Sequence, residues 1–197
     1  MFVRWNKNKD VKRSFMKKTY VLDTNVLIQA PYAVECFEEN TVVLPMTVLE
    51  ELDNMKKEEG EKGANVRKVI RILDAHREKG NLLEGVRMEW GGILRVEKNY
   101  RNVELPPDLP EHKSDNRILK VCVGLSNDLK EQVILVTKDI LLRIKAQLLG
   151  IQAEDFGTEQ VAVHEEQYLG RREVFVPEEL FKDFKKKGVP VECVYCC

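Results

Sequence analysis

The sequence contains no long apolar run. Nowhere in its 197 residues do about 18 apolar residues follow one another without charge, so no membrane-spanning helix is expected. The opening stretch, Met1 to Asp10, lacks an apolar segment of signal-peptide length, so secretion is not expected either. Cysteine is scarce and odd in number: Cys36, Cys122, Cys193, Cys196 and Cys197 form no regular framework. This excludes a disulfide scaffold and points to a reducing, cytoplasmic setting. The three histidines, His76, His112 and His164, are scattered, and no Ser/His or Cys/His pattern for nucleophilic catalysis is in view. Glycine-rich phosphate loops of the form G-x-x-x-x-G-K-[ST] and dinucleotide fingerprints are missing. An excess of charge is missing too: 32 Lys and Arg stand against 33 Asp and Glu, which excludes a uniformly basic nucleic-acid binder.

What is present is 33% charged and 43% hydrophobic residues, enough for one self-sufficient core. The charge is unevenly placed. Residues 1–18 hold Arg4, Lys7, Lys9, Lys12, Arg13, Lys17 and Lys18 against the single acid Asp10. A basic arm on an acidic body hints at a polyanionic partner, although a solvated tail has the same composition. Phe2, Trp5 and Phe15 in that arm are candidates for stacking on unpaired bases, or for packing onto the domain.

Strand-like and helix-like segments alternate from residue 19 onward. Thr19–Asp23, Thr41–Leu44, Ile93–Val96, Val133–Val136 and Ile151–Glu154 read as strands. Between them, Val26 to Phe37 reads as a helical stretch broken at Pro31, and Thr47 to Met55 as a helix. A charged, glycine-punctuated loop covers 56–63, and a strong helix carrying Val66, Val69, Ile70 and Leu73 closes at Gly80. Leu105 to Pro110 cannot be helical, because its three prolines lack donors. Ser114 reads as the N-cap of a helix with Ile118, Val121, Cys122 and Leu125 on its buried side, and Asp139 to Leu149 as a last helix ended by Gly150. Helices between apolar, non-alternating strands imply a parallel sheet covered on both faces. The fold expected is therefore α/β: a three-layer α/β/α domain around a mainly parallel sheet over 19–157, with a basic arm at 1–18 and a C-terminal extension at 158–197. In that extension Glu173–Val176 reads as a strand and Pro177 as a helix start.

In such sheets ligands bind beyond the carboxyl ends of the strands. Four acids fall there: Asp23 after the first strand, Glu50 one turn beyond the second, Asp115 at the start of the helix after the proline segment, and Asp139 after the strand ending at Val136. Each has an ordinary structural explanation. Glu50 stands three residues after Thr47 as in a capping box, Asp23 suits a turn or cap, and Asp115 and Asp139 complement helix dipoles. Together, however, four carboxylates on one rim repel each other unless a cation joins them. Hard oxygen ligands select Mg²⁺ or Mn²⁺, and such a centre suits phosphodiester hydrolysis.

Val21–Ile28, Pro45–Asp53, Ser114–Leu119 and Val136–Ile140, in this order, resemble the motifs of PIN-domain ribonucleases. They are most similar to the PIN domain that precedes a PhoH-like ATPase. The resemblance covers roughly residues 19–157, and the segment Tyr168–Val176 resembles the connector into that ATPase. It implies a Mg²⁺/Mn²⁺-dependent ribonuclease acting on single-stranded RNA, with 5′-phosphate and 3′-hydroxyl products. The catalytic, metal-holding acids then fall on Asp23, Glu50, Asp115 and Asp139, and supporting polar roles on Asn25 and Thr137. Homo-oligomers and a PhoH-like ATPase domain are the protein partners it implies. Because no ATPase motif is present, the other reading is an RNA-binding PIN module that needs an ATPase half for activity. Arg67, Lys68 and Arg71, off the apolar stripe of their helix, are candidate RNA-phosphate contacts, although a solvated helix face has the same composition. Cys193-x-x-Cys196-Cys197 is half a zinc pattern and needs further ligands. Asp23-Thr24-Asn25 does not suit an aspartate-nucleophile phosphatase, which needs a second acid where Asn25 stands.

Overall fold

Valine, leucine and isoleucine runs with no polar alternation can be satisfied only where both faces of a strand are covered. The computed structural model describes residues 17–100 and 102–157 and puts those runs at the centre of a six-stranded sheet. The strands are β1 (Lys18–Leu22), β2 (Thr41–Pro45), β3 (Val86–Arg87), β4 (Ile93–Glu97), β5 (Gln132–Val136) and β6 (Gln152–Glu154). Their spatial order is β3-β4-β2-β1-β5-β6, parallel throughout except for β3, which runs antiparallel to β4 at one edge. Five helices, α1 (Thr24–Gln29), α2 (Met46–Met55), α3 (Gly60–Lys79), α4 (Ser114–Asp128) and α5 (Ile140–Leu148), cover both sides. A 3-10 turn, Pro31–Glu35, follows α1. This is the expected α/β/α sandwich, and no described helix is long and apolar enough to cross a membrane.

Val21, Leu22, Val42, Val43, Leu44, Ile134 and Leu135 are fully enclosed, which explains why their strands show no alternation. At about 25 cal/mol per Å² of apolar area, burial of this kind stabilises each such side chain by about 1.5–3 kcal/mol. Cys122 on α4 is fully buried in the same core, and its thiol is pushed up by that burial. Cys36, half-buried after the 3-10 turn, is pushed up to about 11 by burial and by Glu35. The other three cysteines, the basic arm through residue 16 and the C-terminal extension lie outside the described residues.

The structure departs from the sequence reading at several boundaries. Helix α2 starts at Met46, directly after Pro45, and Thr47 makes no cap hydrogen bond; its hydroxyl is buried 3.4 Å from Asn99 Oδ1. The capping box read from Thr47 and Glu50 is therefore not formed. Helix α3 starts at Gly60, inside the stretch read as loop, and a Cβ on Gly63 would lie 1.8 Å from the Glu58 carbonyl oxygen. Arg67 Nη1 donates to the carbonyls of Lys56 (3.1 Å) and Glu58 (3.2 Å), so close backbone approach and a guanidinium clamp carry the chain from α2 into α3. The N-cap of α4 is Lys113 rather than Ser114, and no side chain caps it. The short strand β3 carried no periodic signal, since two residues are too few to alternate.

The segment before α4 is held from below by α4 itself. Asn116 Nδ2 donates to the Pro110 carbonyl at 2.8 Å, and the buried Lys120 Nζ pairs with Glu111 Oε1 at 2.5 Å. Gly124 makes room for the ring of Tyr100, which a Cβ would approach to 2.2 Å. These contacts fix where the first turn of α4, and with it Asp115, meets the sheet rim.

Candidate active site

The register of the central strands builds the site. β1 and β5 pair so that Leu22 lies beside Val136, which brings the next residues, Asp23 and Thr137, side by side. The Asp23 amide donates to the Val136 carbonyl at 3.0 Å, continuing the sheet by one bond. Asp23 is then enclosed at 4% exposure, while Thr137 is fully buried and donates its hydroxyl to Asp23 Oδ2 at 2.7 Å. The same hydroxyl oxygen accepts from the Asp139 amide at 3.0 Å, tying the loop after β5 to the carboxylate. Asn25 Nδ2 approaches Asp23 Oδ2 at 3.4 Å.

Burial raises the Asp23 carboxyl above the ordinary range, and the charges of Glu51 and Asp115 push the same way. The hydrogen bonds from Thr137 and the Thr24 backbone oppose this without cancelling it. A buried acid normally has a cation beside it or loses its charge. Asp23 instead has two further acids acting on it.

The second of those acids is not the one expected. Glu50 points to solvent and accepts from Arg117 Nη1 at 3.2 Å, forming an exposed bridge between α2 and α4. Glu51 is the half-buried neighbour, and its carboxylate accepts the Thr24 hydroxyl beside Asp23. One residue along a helix is a turn of about 100°, so with α2 starting at Met46 the face that buries Val48 and Leu52 carries Glu51 rather than Glu50. The signal was present in the sequence: Glu51 stands three residues after Val48 and next to Leu52, on the apolar stripe.

Asp115 lies in the first turn of α4, half-buried, and its Oδ2 accepts from Lys145 Nζ of α5 at 3.1 Å. Asp139 is the N-cap of α5. Its Oδ1 accepts the amides of Leu141 (2.7 Å) and Leu142 (3.3 Å), so one of its oxygens is engaged in capping. Of the sequence candidates, Asp23, Asn25, Asp115, Thr137 and Asp139 thus lie along one rim, while Glu50 is exposed and bridged to Arg117. Among the described residues no three His, Cys, Asp or Glu side chains are gathered into a ready cage for an ion. The donor chemistry nevertheless fits a hard divalent cation: the groups are all carboxylate or hydroxyl oxygens, and Asp23 is buried under like charge that a cation would relieve. On α3, Arg67 is committed to backbone carbonyls, whereas Lys68 and Arg71 reach solvent with no carboxylate partner among the described residues.

The PIN-domain family profile matches residues 20–157. The chain belongs to the PIN-domain family. Residues 1–19 and 158–197 lie outside the match. This PIN domain is similar to Protein PhoH2 of Bacillus subtilis (strain 168), 46% identical over 179 residues, covering 88% of the chain and 40% of that protein. It is similar as well to Protein PhoH2 of Mycolicibacterium smegmatis, 39% identical over 149 residues, covering 74% of the chain and 34% of that protein. The chain therefore spans about two fifths or less of the length of these curated relatives. Among solved structures, a PilT N-terminus domain protein from Sulfolobus solfataricus P2 aligns over 76% of the chain and 96% of its own, at 14% identity and a TM-score of 0.40. A domain of a functionally unknown protein from Methanocaldococcus jannaschii aligns over 71% and 91%, at 24% identity and a TM-score of 0.42. Membership of the family supports a nuclease-type module.

Proposed function

We propose that this PIN domain is a Mg²⁺- or Mn²⁺-dependent ribonuclease that hydrolyses phosphodiester bonds in single-stranded RNA. The observation that carries this reading is Asp23: a carboxylate at 4% exposure, harder to ionise because it is buried, with Glu51 and Asp115 adding like charge. Placing such a group at the rim of the central strands costs folding energy, and a bound cation would offset that cost. Asp23, Glu51 and Asp115, with the uncapping oxygen of Asp139, are the groups that would hold the ion. When bound, a divalent ion supplies Lewis acidity and charge neutralisation at a phosphodiester.

The chain's own residues do the remaining work. Thr137 holds the Asp23 carboxylate in one orientation and, through the Asp139 amide, keeps the β5–α5 loop in register with it. Thr24 orients Glu51 from the first turn of α1. Lys145 neutralises Asp115 and, as a cation on the rim, favours approach of a phosphate. Arg117, bridged to Glu50, adds a second cation between α2 and α4.

The test is cleavage of an unstructured RNA in Mn²⁺ by the parent chain and by Asp23→Asn. The parent is expected to cut and the variant to be slower by at least about a hundredfold; equal rates would end this reading. A second reading, an RNA-holding module that depends on a PhoH-like ATPase half, is favoured by the two fifths of its relatives that the chain spans. RNA binding in EDTA without cleavage in any divalent ion would select it.

A further inference from the structure

Helix α1 starts beside Asp23 and ends on a surface groove. The groove is lined by Gln29 at the end of α1, Pro31 and Tyr32 of the 3-10 turn, and Lys68, Arg71 and Ile72 of α3. Its neighbouring groups divide into committed and uncommitted ones. The Asn65 amide is used, donating to the Ile28 carbonyl at 3.0 Å and fastening α3 to α1. Arg67, next in sequence to Lys68, is spent on the α2–α3 connection. Lys68 and Arg71 have no ion-pair partner among the described residues, in contrast to Lys62, Arg77 and Lys79 on the same helix. One acid, Glu61, lines the groove two turns before Lys68, so the balance of the lining is one positive charge.

The contents of the groove specify the occupant. Lys68 and Arg71 are three apart on one helix, which sets their Cβ atoms about 5–6 Å apart. Two cations at that separation match consecutive phosphates of one strand. Tyr32, 39% exposed, offers a ring in the same groove, with Pro31 and Ile72 as apolar wall. Cations beside an exposed aromatic are what an unpaired strand needs, since its phosphates take charge and its bases take π-faces. The groove is also within reach of Asp23: the six residues of α1 at 1.5 Å each span about 9 Å, which is about three bases stacked at ~3.4 Å.

We propose that this groove is a binding subsite for the RNA strand outside the cleavage centre, in which a base stacks on Tyr32 and Lys68 and Arg71 hold two successive phosphates. The proposal rests on the ribonuclease reading for its substrate class and deepens it by giving the strand a direction, along α1 from Asp23 toward α3. Arg67 has no part in it.

The experiment measures binding of a labelled single-stranded oligouridylate to the whole chain in EDTA by anisotropy, across a salt series, with thermal melts to confirm folding. The double variant K68A/R71A is expected to bind at least about tenfold more weakly, and its salt slope to fall by about 1.4, at ~0.7 per phosphate on single strands. Tyr32→Ala is expected to weaken binding at least about fivefold with the salt slope unchanged, and Tyr32→Phe to bind as the parent does. Lys130→Ala, an exposed cation on the α4–β5 loop, serves as the reference for loss of charge alone. No binding by the parent, equal affinity for a duplex of the same length, or a double-variant slope no lower than that of Lys130→Ala would each overturn the proposal. These readouts need no cleavage. Failure of the nuclease reading would show instead in the Mn²⁺ assay, with binding in EDTA intact.

Discussion

Among the described residues one carboxylate and one ammonium are buried, and they are treated in opposite ways. Lys120, inside α4, is 5% exposed and pairs with Glu111 at 2.5 Å, beside an Asn116 amide that holds the same proline segment. Asp23, at the end of β1, is just as enclosed, but the charges acting on it are those of other acids. A paired buried charge is part of the scaffold; its neighbour supplies the sign it lacks. An unpaired one under like charge either loses its charge or takes a partner from outside the fold. The difference separates the structural cluster under α4 from the candidate active site at the first turn of the same helix.

That contrast can be broken by substitution, and the largest effect should come from Asp23. Asp23→Asn is expected to remove RNA cleavage by at least about a hundredfold while leaving the fold intact. It should in fact melt higher than the parent at neutral pH. The folded-state carboxyl is raised, so ionising Asp23 costs folding stability as pH rises through its unfolded value and on to the folded one. The variant does not ionise there, so its thermal advantage should shrink as pH falls toward 4. A parent that melts higher than the variant at pH 7 in EDTA would contradict the account of Asp23.

The paired charge should behave in the reverse manner. Glu111→Gln leaves an ammonium at 7% side-chain exposure without its carboxylate, and is expected to cost about 2–4 kcal/mol. Lys120→Met leaves only Glu111, which is 59% exposed and can be solvated, so about 1 kcal/mol or less is expected. Denaturant midpoints of the two variants decide the order. Next in size, Glu51→Gln should slow cleavage by about tenfold or more and Glu50→Gln by no more than about threefold, read from initial rates in Mn²⁺. Equal losses at the two glutamates would erase the distinction drawn along α2. A ligand shift tests the same contrast: Mn²⁺ at a hundred times its Kd should stabilise the parent by about 2.7 kcal/mol, and Asp23→Asn by clearly less.

The fold was legible because its central strands are enclosed on both faces and so announce themselves as unbroken apolar runs. Asp23 and Asp139 were legible for the same reason: Asp23 follows such a run directly and Asp139 three residues after one, and strand ends define the rim. The acid on α2 was not. Two adjacent glutamates differ only by helical phase, and phase depends on where the helix begins; Thr47 suggested a cap, whereas Pro45 already ends the strand and Met46 opens the helix. Arg67 resembled Lys68 and Arg71 as a surface cation because its partners, two backbone carbonyls, leave no trace in composition. Lys120 gave no sign of burial either, since its carboxylate, Glu111, lies outside its helix in the irregular segment just after the prolines.

The strand order has a consequence for synthesis. Asp23 is among the first residues of the domain to be made, and Thr137, which holds it, is 114 positions later. Between them β1 has β2 on one edge and nothing on the other until β5 emerges. A ribosome-bound chain therefore carries an open, apolar strand edge from β1 until β5 is made, and the Asp23–Thr137 contact forms only then. On the ribonuclease reading proposed above, a domain made in this order stays inert toward the message from which it is being read until β5 and the helix after it have left the exit tunnel.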